Sequence, residues 1–231
     1  MMIYLTGDTH GEFGRVRDFC KKMGTTREDI LIILGDAGIN YFQGKRSEQL
    51  KEELDDISVT LFCIHGNHEQ RPYAISTYEE TEWHGGIVYA EENHPFILFA
   101  KDGEIYDFHG KKAIAIGGAY SVDKYYRLAM DYAWFENEQP SEEIKRYVEE
   151  QLDSCNWKVD YVLSHTAPLR YEPVEVFLPI DQTRVDKSTE VWLGQIEKRL
   201  HYRRWYCGHY HTAKRIDNLR IMFEDYGILG D

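Results

Sequence analysis

The stretch Met2-Ile3-Tyr4-Leu5-Thr6-Gly7-Asp8-Thr9-His10-Gly11 decides the fold. An apolar run short enough for a buried strand ends in a polar cluster held between two glycines. The pattern returns four times. Ile30-Leu31-Ile32-Ile33-Leu34 runs into Gly35-Asp36-Ala37-Gly38, and Val59-Thr60-Leu61-Phe62-Cys63-Ile64 comes before Gly66-Asn67-His68-Glu69. Val159-Asp160-Tyr161-Val162-Leu163 leads to Ser164-His165, and Trp205-Tyr206-Cys207 to Gly208-His209-Tyr210-His211. Open α/β sheets bind ligands outside the carboxyl ends of their strands, so five strand ends at one edge would bring these side chains together.

The collected side chains are the inventory of a two-metal site. Carboxylate, carboxamide and imidazole ligands suit manganese, iron or zinc. Two such ions about 3.5–4 Å apart clamp the oxygens of an in-line displacement at phosphorus. Asp8 and His10 are two apart, as are His209 and His211. In extended backbone, side chains at that spacing point the same way, so each pair is expected to reach one small volume. Gly7, Gly35, Gly66 and Gly208 would let the chain turn and approach the ions closely. Asp36 has two oxygens and can bridge, whereas imidazole ligates one ion and Asn67 offers a neutral oxygen. Taken singly, each cluster reads as a turn or a helix cap. Five in this order do not. His65, His84, His94, His109 and His201 fall outside the pattern and are read as structural or solvated.

These clusters resemble the five motifs of the calcineurin-like metallophosphoesterase superfamily: D-x-H, G-D, G-N-H-E/D, a lone H, and G-H-x-H. The likeness spans residues 8 to 211. It implies a four-layer α/β/β/α sandwich of two mixed sheets, two divalent transition metal ions, and attack on a phosphate ester by a metal-bridging hydroxide. Mn2+ is the expected ion, with Fe, Zn, Ni and Co also suited. Carried over position by position, Asp8, His10 and His211 would hold one ion and Asn67, His165 and His209 the other, with Asp36 bridging both. His68 would stand outside the ligand set as the proton donor to the leaving group.

The sequence also departs from some relatives. Calcineurin-like Ser/Thr protein phosphatases carry an Asp-Arg-Gly shortly after the Gly-Asp, and here the matching stretch is Gly38-Ile39-Asn40-Tyr41. The departure and the Gly-His-x-His ending favour a phosphodiesterase, acting on a nucleotide-like ester, over a phosphomonoesterase or protein phosphatase. Arg71, Lys124 or Arg127 would then replace the missing phosphate clamp. A metal-bound scaffold without activity is the reading from another class, but such relatives lose the histidine beside the asparagine, and His68 is present. A nuclease subunit would carry a basic or coiled-coil segment, and none is visible.

With 231 residues, 42% hydrophobic and 14% aromatic, the chain suits one well-cored α/β domain over 1–231. A formal net charge of −13 opposes stable binding to duplex nucleic acid, whose affinity comes from neutralised phosphates. A small phosphate ester or nucleotide fits better. Cys20, Cys63, Cys155 and Cys207 lack C-x-x-C spacing and read as free thiols. No run approaches the length of a transmembrane helix, which argues against a membrane partner. A first strand at Met2 and a ligand at Asp8 leave no place for a signal peptide, so the expected location is cytoplasmic, that of a host if the gene is phage-borne.

Helices are expected at 12–23, 46–57, 141–152 and 189–200. Between 84 and 118 the pattern turns to four short strands, read as a meander that builds the second sheet. The segment 119–138 is read as a loop lining the substrate cleft, with Tyr120, Tyr125 and Trp134 stacking on a base and Lys124 or Arg127 meeting phosphate. The insertion 170–187 is read as the opposite wall.

Overall fold

Alternate residues of a strand face opposite sides of a sheet, and here both sides are apolar. In the computed structural model, which describes residues 1–177 and 181–231, Ile3 and Leu5 of the first strand face one core while Tyr4 faces another. Ile30 and Ile32 separate from Leu31 and Ile33 in the same way. Such two-sided runs are the mark of strands covered on both faces.

The strands are β1 (Ile3–Thr6), β2 (Ile30–Ile33), β3 (Thr60–Cys63), β4 (Glu79–Trp83), β5 (Gly86–Ala90), β6 (Ile97–Ala100) and β7 (Ile105–Phe108). They continue with β8 (Lys111–Ile116), β9 (Tyr161–Ser164), β10 (Arg204–Cys207), β11 (Lys214–Ile216), β12 (Leu219–Ile221) and β13 (Tyr226–Ile228). One sheet has the order β13-β1-β2-β3-β6-β5-β4 and the other β11-β12-β10-β9-β8-β7. Both are mixed: β1, β2 and β3 run parallel in the first, as do β8, β9 and β10 in the second.

Helices α1 (Gly14–Met23) and α2 (Lys45–Leu54) carry Val16, Cys20 and Leu54 onto the outer face of the first sheet. Past the short α3 (Lys124–Ala129), α4 (Glu142–Ser154) and α5 (Ser188–Arg199) bring Val148, Leu152, Trp192 and Ile196 to the second. The inner faces meet through Leu5, Ile32, Phe62, Tyr106, Leu163 and Tyr206. This is the expected four-layer sandwich. The helix starts follow local rules where a cap exists: Ser141 Oγ accepts from Ile144 N at 3.3 Å, and Glu142 and Glu143 fill the first turn of α4. No helix among the described residues is long and apolar enough to cross a membrane.

Three expectations need correction. The 84–118 stretch does not build one sheet. β5 and β6 join the first sheet, where β6 lies parallel to β3, and β7 and β8 join the second. The chain changes sheet at Lys101-Asp102-Gly103, where Asp102 accepts from Gly117 N at 2.5 Å and pairs with Arg71. The segment 119–138 is not all loop, because it contains α3. The strands β4, β11, β12 and β13 were not foreseen; they are edge or hairpin strands with mixed or polar faces.

Candidate active site

All five polar clusters leave the C-terminal ends of parallel strands, three from the first sheet and two from the second. They meet where the two sheets' edges come together. Four of the side chains involved sit on residues with left-handed backbone: His10 (φ 48°), Asp36 (φ 44°), His209 (φ 68°) and His211 (φ 48°). Non-glycine residues in that region cost of order 1–3 kcal/mol each and persist where the surroundings over-determine them. The i, i+2 geometry expected from extended backbone is therefore replaced. Asp8 and His10 do converge, but His209 and His211 part company: His209 packs against His165, with ring centroids 4.9 Å apart, and His211 turns to His10 and Asp8.

Two glycines act here by close approach. A β-carbon on Gly66 would stand 2.0 Å from Asp36 Oδ1, and one on Gly35 would stand 1.9 Å from His165 Nδ1. The ligand side chains lie where an ordinary residue's Cβ would be.

The donor atoms form two groups. In the first, His10 Nε2 and His211 Nε2 are 2.8 Å apart, and they stand 3.7 and 3.3 Å from Asp8 Oδ2. That carboxylate oxygen is buried and accepts no hydrogen bond. Asp8 Oδ1 takes the backbone N–H of His209 at 2.9 Å. The second group joins Asp8, Asp36 and His165, with His165 Nε2 3.6 Å from Asp36 Oδ2. Asn67 Oδ1 lies 2.8 Å from His165 Nε2. Asp8 has atoms in both groups, and Asp36 in the second.

The electrostatics ask for cations. Burial alone would raise the Asp36 pKa, but the charges of His165, His68 and His10 hold it below the usual carboxylate range. Burial likewise works against Asp8, and the imidazoles of His211, 3.3 Å from Oδ2, His165 and His10 override it. The same contact raises the His211 pKa, so a proton is held where a positive charge is wanted. His209 is pushed down to about 3 by burial and then by His165, which keeps its imidazole neutral as ligation requires. An orphaned carboxylate oxygen, the neutral imidazole of His209 and a mixed N/O donor set fit divalent transition ions.

A supporting shell was not read from the sequence. Ser121 Oγ accepts from Asn67 Nδ2 at 2.9 Å and turns the carboxamide oxygen toward His165. The Leu34 carbonyl lies 2.9 Å from His165 Nδ1. Arg15 ties down the first cluster through the carbonyls of Gly7 and Asp8, at 3.2 and 2.9 Å. Glu69 accepts from Ala37 N and Gly66 N, at 3.3 and 3.4 Å, and so links two of the loops. Burial and then Asp36 push its pKa up to about 8, leaving it a neutral acid. Glu69 belongs to a recognised motif and Leu34 borders one, whereas Ser121 and Arg15, the latter in α1, carry none.

His68 is half-buried and gives its backbone N–H to Asp36 Oδ1 at 2.8 Å. Its ring lies 5.8 Å from that of His10. Burial lowers its pKa, while Asp36 and Asp123 favour the proton and Arg127 opposes it. Two cavities flank the ring. One, of about 470 Å³, is lined by Tyr41, Phe42, Arg46 and Arg127. The other, of about 390 Å³, opens onto Asp36, Asn67, His209 and His211 and is walled by Tyr120, Val122, Phe177 and Val185.

Of the residues expected to touch substrate, Tyr120 and Arg127 line these cavities, and Arg71, Lys124 and Tyr125 do not. Arg71 is buried, paired with Asp102 and donating to the Asn137 carbonyl at 2.7 Å. Lys124 Nζ rests 4.0 Å above the Trp134 ring. Tyr125 faces solvent beneath Arg184, and Trp134 donates to Glu138 at 2.8 Å. Each found a partner within its own surroundings. The insertion 170–187 does form the opposite wall through Val176, Phe177 and Val185; its residues 178–180 lie outside those described.

The sequence profile of the calcineurin-like phosphoesterases matches residues 1–213. The chain belongs to that family. It is thus a metal-dependent hydrolase of phosphate esters, on a fold that holds a dinuclear divalent site. Among solved structures, TT1561 of Thermus thermophilus superposes with a TM-score of 0.54 at 11% identity, covering 96% of this chain and 89% of its own. A second structure covers 95% of this chain and 88% of its own, with a TM-score of 0.52 at 13% identity. At such identity these likenesses speak for the fold. No curated protein matches the sequence.

Proposed function

We propose that this calcineurin-like phosphoesterase hydrolyses a phosphodiester, nucleotide-like in having an aromatic arm, with manganese as its ion. One observation carries the reading: two separate cavities meet at His68, beside the converged donors. A monoester has one substituent to place, and a diester has two. Neither cavity supplies an Asp-Arg-Gly clamp for a doubly charged terminal phosphate, and a diester carries one charge.

In this reading Asp8, His10 and His211 hold one ion and Asp36, Asn67, His165 and His209 the other, with Asp8 and Asp36 between them. Two divalent ions so held would clamp phosphoryl oxygens and lower the pKa of the attacking water. His68 donates the proton that the leaving oxygen needs, and its position between the cavities lets it reach either ester oxygen. Tyr41 and Phe42 offer faces for an aromatic arm, and Arg46 and Arg127 meet any further negative charge. Both sheets contribute to this one site, which supports reading 1–231 as a single domain. The free cysteines, three of them buried, support a reducing compartment such as the cytoplasm.

The test compares bis(p-nitrophenyl) phosphate with p-nitrophenyl phosphate and a phosphopeptide, using protein loaded with manganese. The diester is expected to have the highest kcat/KM, with about two ions per chain by metal analysis. A phosphopeptide or the monoester as best substrate would refute the diester reading. Saturation at one ion would refute the ligand set.

A further inference from the structure

Glu190 is a buried acid in the wall of the second cavity that the proposed reaction does not use. It stands in the first turn of α5 and is 4% exposed. Its Oε1 accepts from Thr166 Oγ1 at 2.9 Å, and its Oε2 has no partner. Burial pushes its pKa up to about 7, more than its hydrogen bonds and the charge of Lys187 offset. Asp123, also in this wall, accepts at Oδ2 from Arg127 Nε at 2.8 Å, while its buried Oδ1 is likewise without a partner. The third carboxylate of the wall, Glu172, is already paired with Lys187 at 2.7 Å.

Among the described residues no lysine or arginine lines the cavity, and Val122, Val176, Phe177 and Val185 make much of its surface apolar. A buried acceptor left unmade is costly, and an anionic or acceptor-rich ligand would raise that cost. A ligand bringing N–H donors removes it. The cavity on the other side of His68 differs in carrying both signs, with Arg46 and Arg127 beside Glu12 and Glu53 in its wall.

We propose that the cavity walled by Glu190 and Asp123 is a subsite for a substrate arm that carries an amino group, with the two carboxylates as its hydrogen-bond acceptors. The inference rests on the diester reading given above. Glu190 and Asp123 are specificity residues, at a distance from the bond that breaks.

The test uses three diesters that share a p-nitrophenyl leaving group and differ in the second arm: propyl, 3-aminopropyl and 2-carboxyethyl. The 3-aminopropyl ester should exceed the propyl ester in kcat/KM about tenfold or more, the range of a hydrogen bond to a charged group, and the 2-carboxyethyl ester should fall below both. Glu190→Gln keeps an acceptor for Thr166 and places a donor where Oε2 stood. It should bring the amino-to-propyl ratio to about one and raise the carboxyethyl ester above the amino ester. Asp123→Asn should move the same ratio in the same direction. Calorimetric binding of propylphosphonate and 3-aminopropylphosphonate to the manganese-loaded protein gives a readout independent of turnover, with the amine bound more tightly only when Glu190 is present. An equal rate for all three diesters, or an amine preference unchanged in both variants, overturns the subsite. If p-nitrophenyl phosphate outruns every diester while the phosphonate difference still depends on Glu190, the diester reading falls and the subsite stands.

Discussion

The two halves of the donor cluster are built differently. His10 and His211 stand at the mouth, their side chains 34% and 51% exposed, and of the first group only Asp8 is buried. Asp36, Asn67 and His165 are all buried, and each is held by neighbours: Asp36 by the His68 N–H, Asn67 by Ser121, His165 by the Leu34 carbonyl. Preorganised ligands with fixed partners bind metal more tightly than mobile ones. The contrast teaches that one half is part of the core and the other part of the cleft. The buried half should retain its ion while the mouth half exchanges.

His68 touches both halves, through its backbone to Asp36 and its ring to His10, and its loss should affect neither ion. His68→Ala is expected to retain metal and to lose about 10²–10⁴-fold in turnover on diesters with poor leaving groups, less with p-nitrophenolate. Equal losses across leaving groups, or loss of an ion, would assign it to the ligand set instead.

The contrast itself is tested by His165→Ala against His211→Ala. The first strands the Asn67 and Leu34 oxygens in the core and should destabilise the metal-free protein by about 3 kcal/mol in denaturant unfolding. The second removes an exposed ring and should cost less than about 1 kcal/mol. Metal analysis should find one ion kept in His211→Ala. Similar unfolding midpoints for the two variants would show that burial does not separate the halves.

The smallest effect belongs to a histidine outside the site. His94 is buried between Asp55 and Glu48, with its ring nitrogens 2.8 and 3.0 Å from their carboxylates. Burial disfavours its charge, but the hydrogen bonds to Glu48 and Asp55 prevail and raise its pKa. A raised pKa means that the folded chain binds the proton more tightly. The stabilisation is complete below the unfolded value, about 6.5, and fades as pH rises through the folded value. Wild type should exceed His94→Gln by on the order of 1 kcal/mol at pH 5.5, with the gap closing toward alkaline pH. A gap that widens with pH would mean that His94 is neutral in the fold.

The strand runs and polar clusters were legible in the chain because local chemistry dictates them. Two-sided apolar runs such as Ile30–Ile33 have no soluble alternative to a covered strand, and a carboxylate, carboxamide or imidazole declares its ligand chemistry wherever it stands. The helices on either side of the sandwich follow from their own apolar stripes and caps. What the linear order leaves open is partnership over long distance. β7 meets β8 across the short turn at His109-Gly110, but nothing within β6 says that it pairs with β3 and not with β7. That depends on which sheet already has a free edge when the chain turns at Asp102. The same holds for cations. Arg71, Lys124 and Arg127 are alike in sequence, yet Asp102 claims the first, Trp134 the second, and only the third lines a cavity beside His68. Glu190 and Ser121 carry no motif at all; their roles come from folding that sets a buried oxygen against a cavity or a carboxamide. Residue chemistry is local and survives in one dimension, whereas burial and pairing are properties of the packed chain.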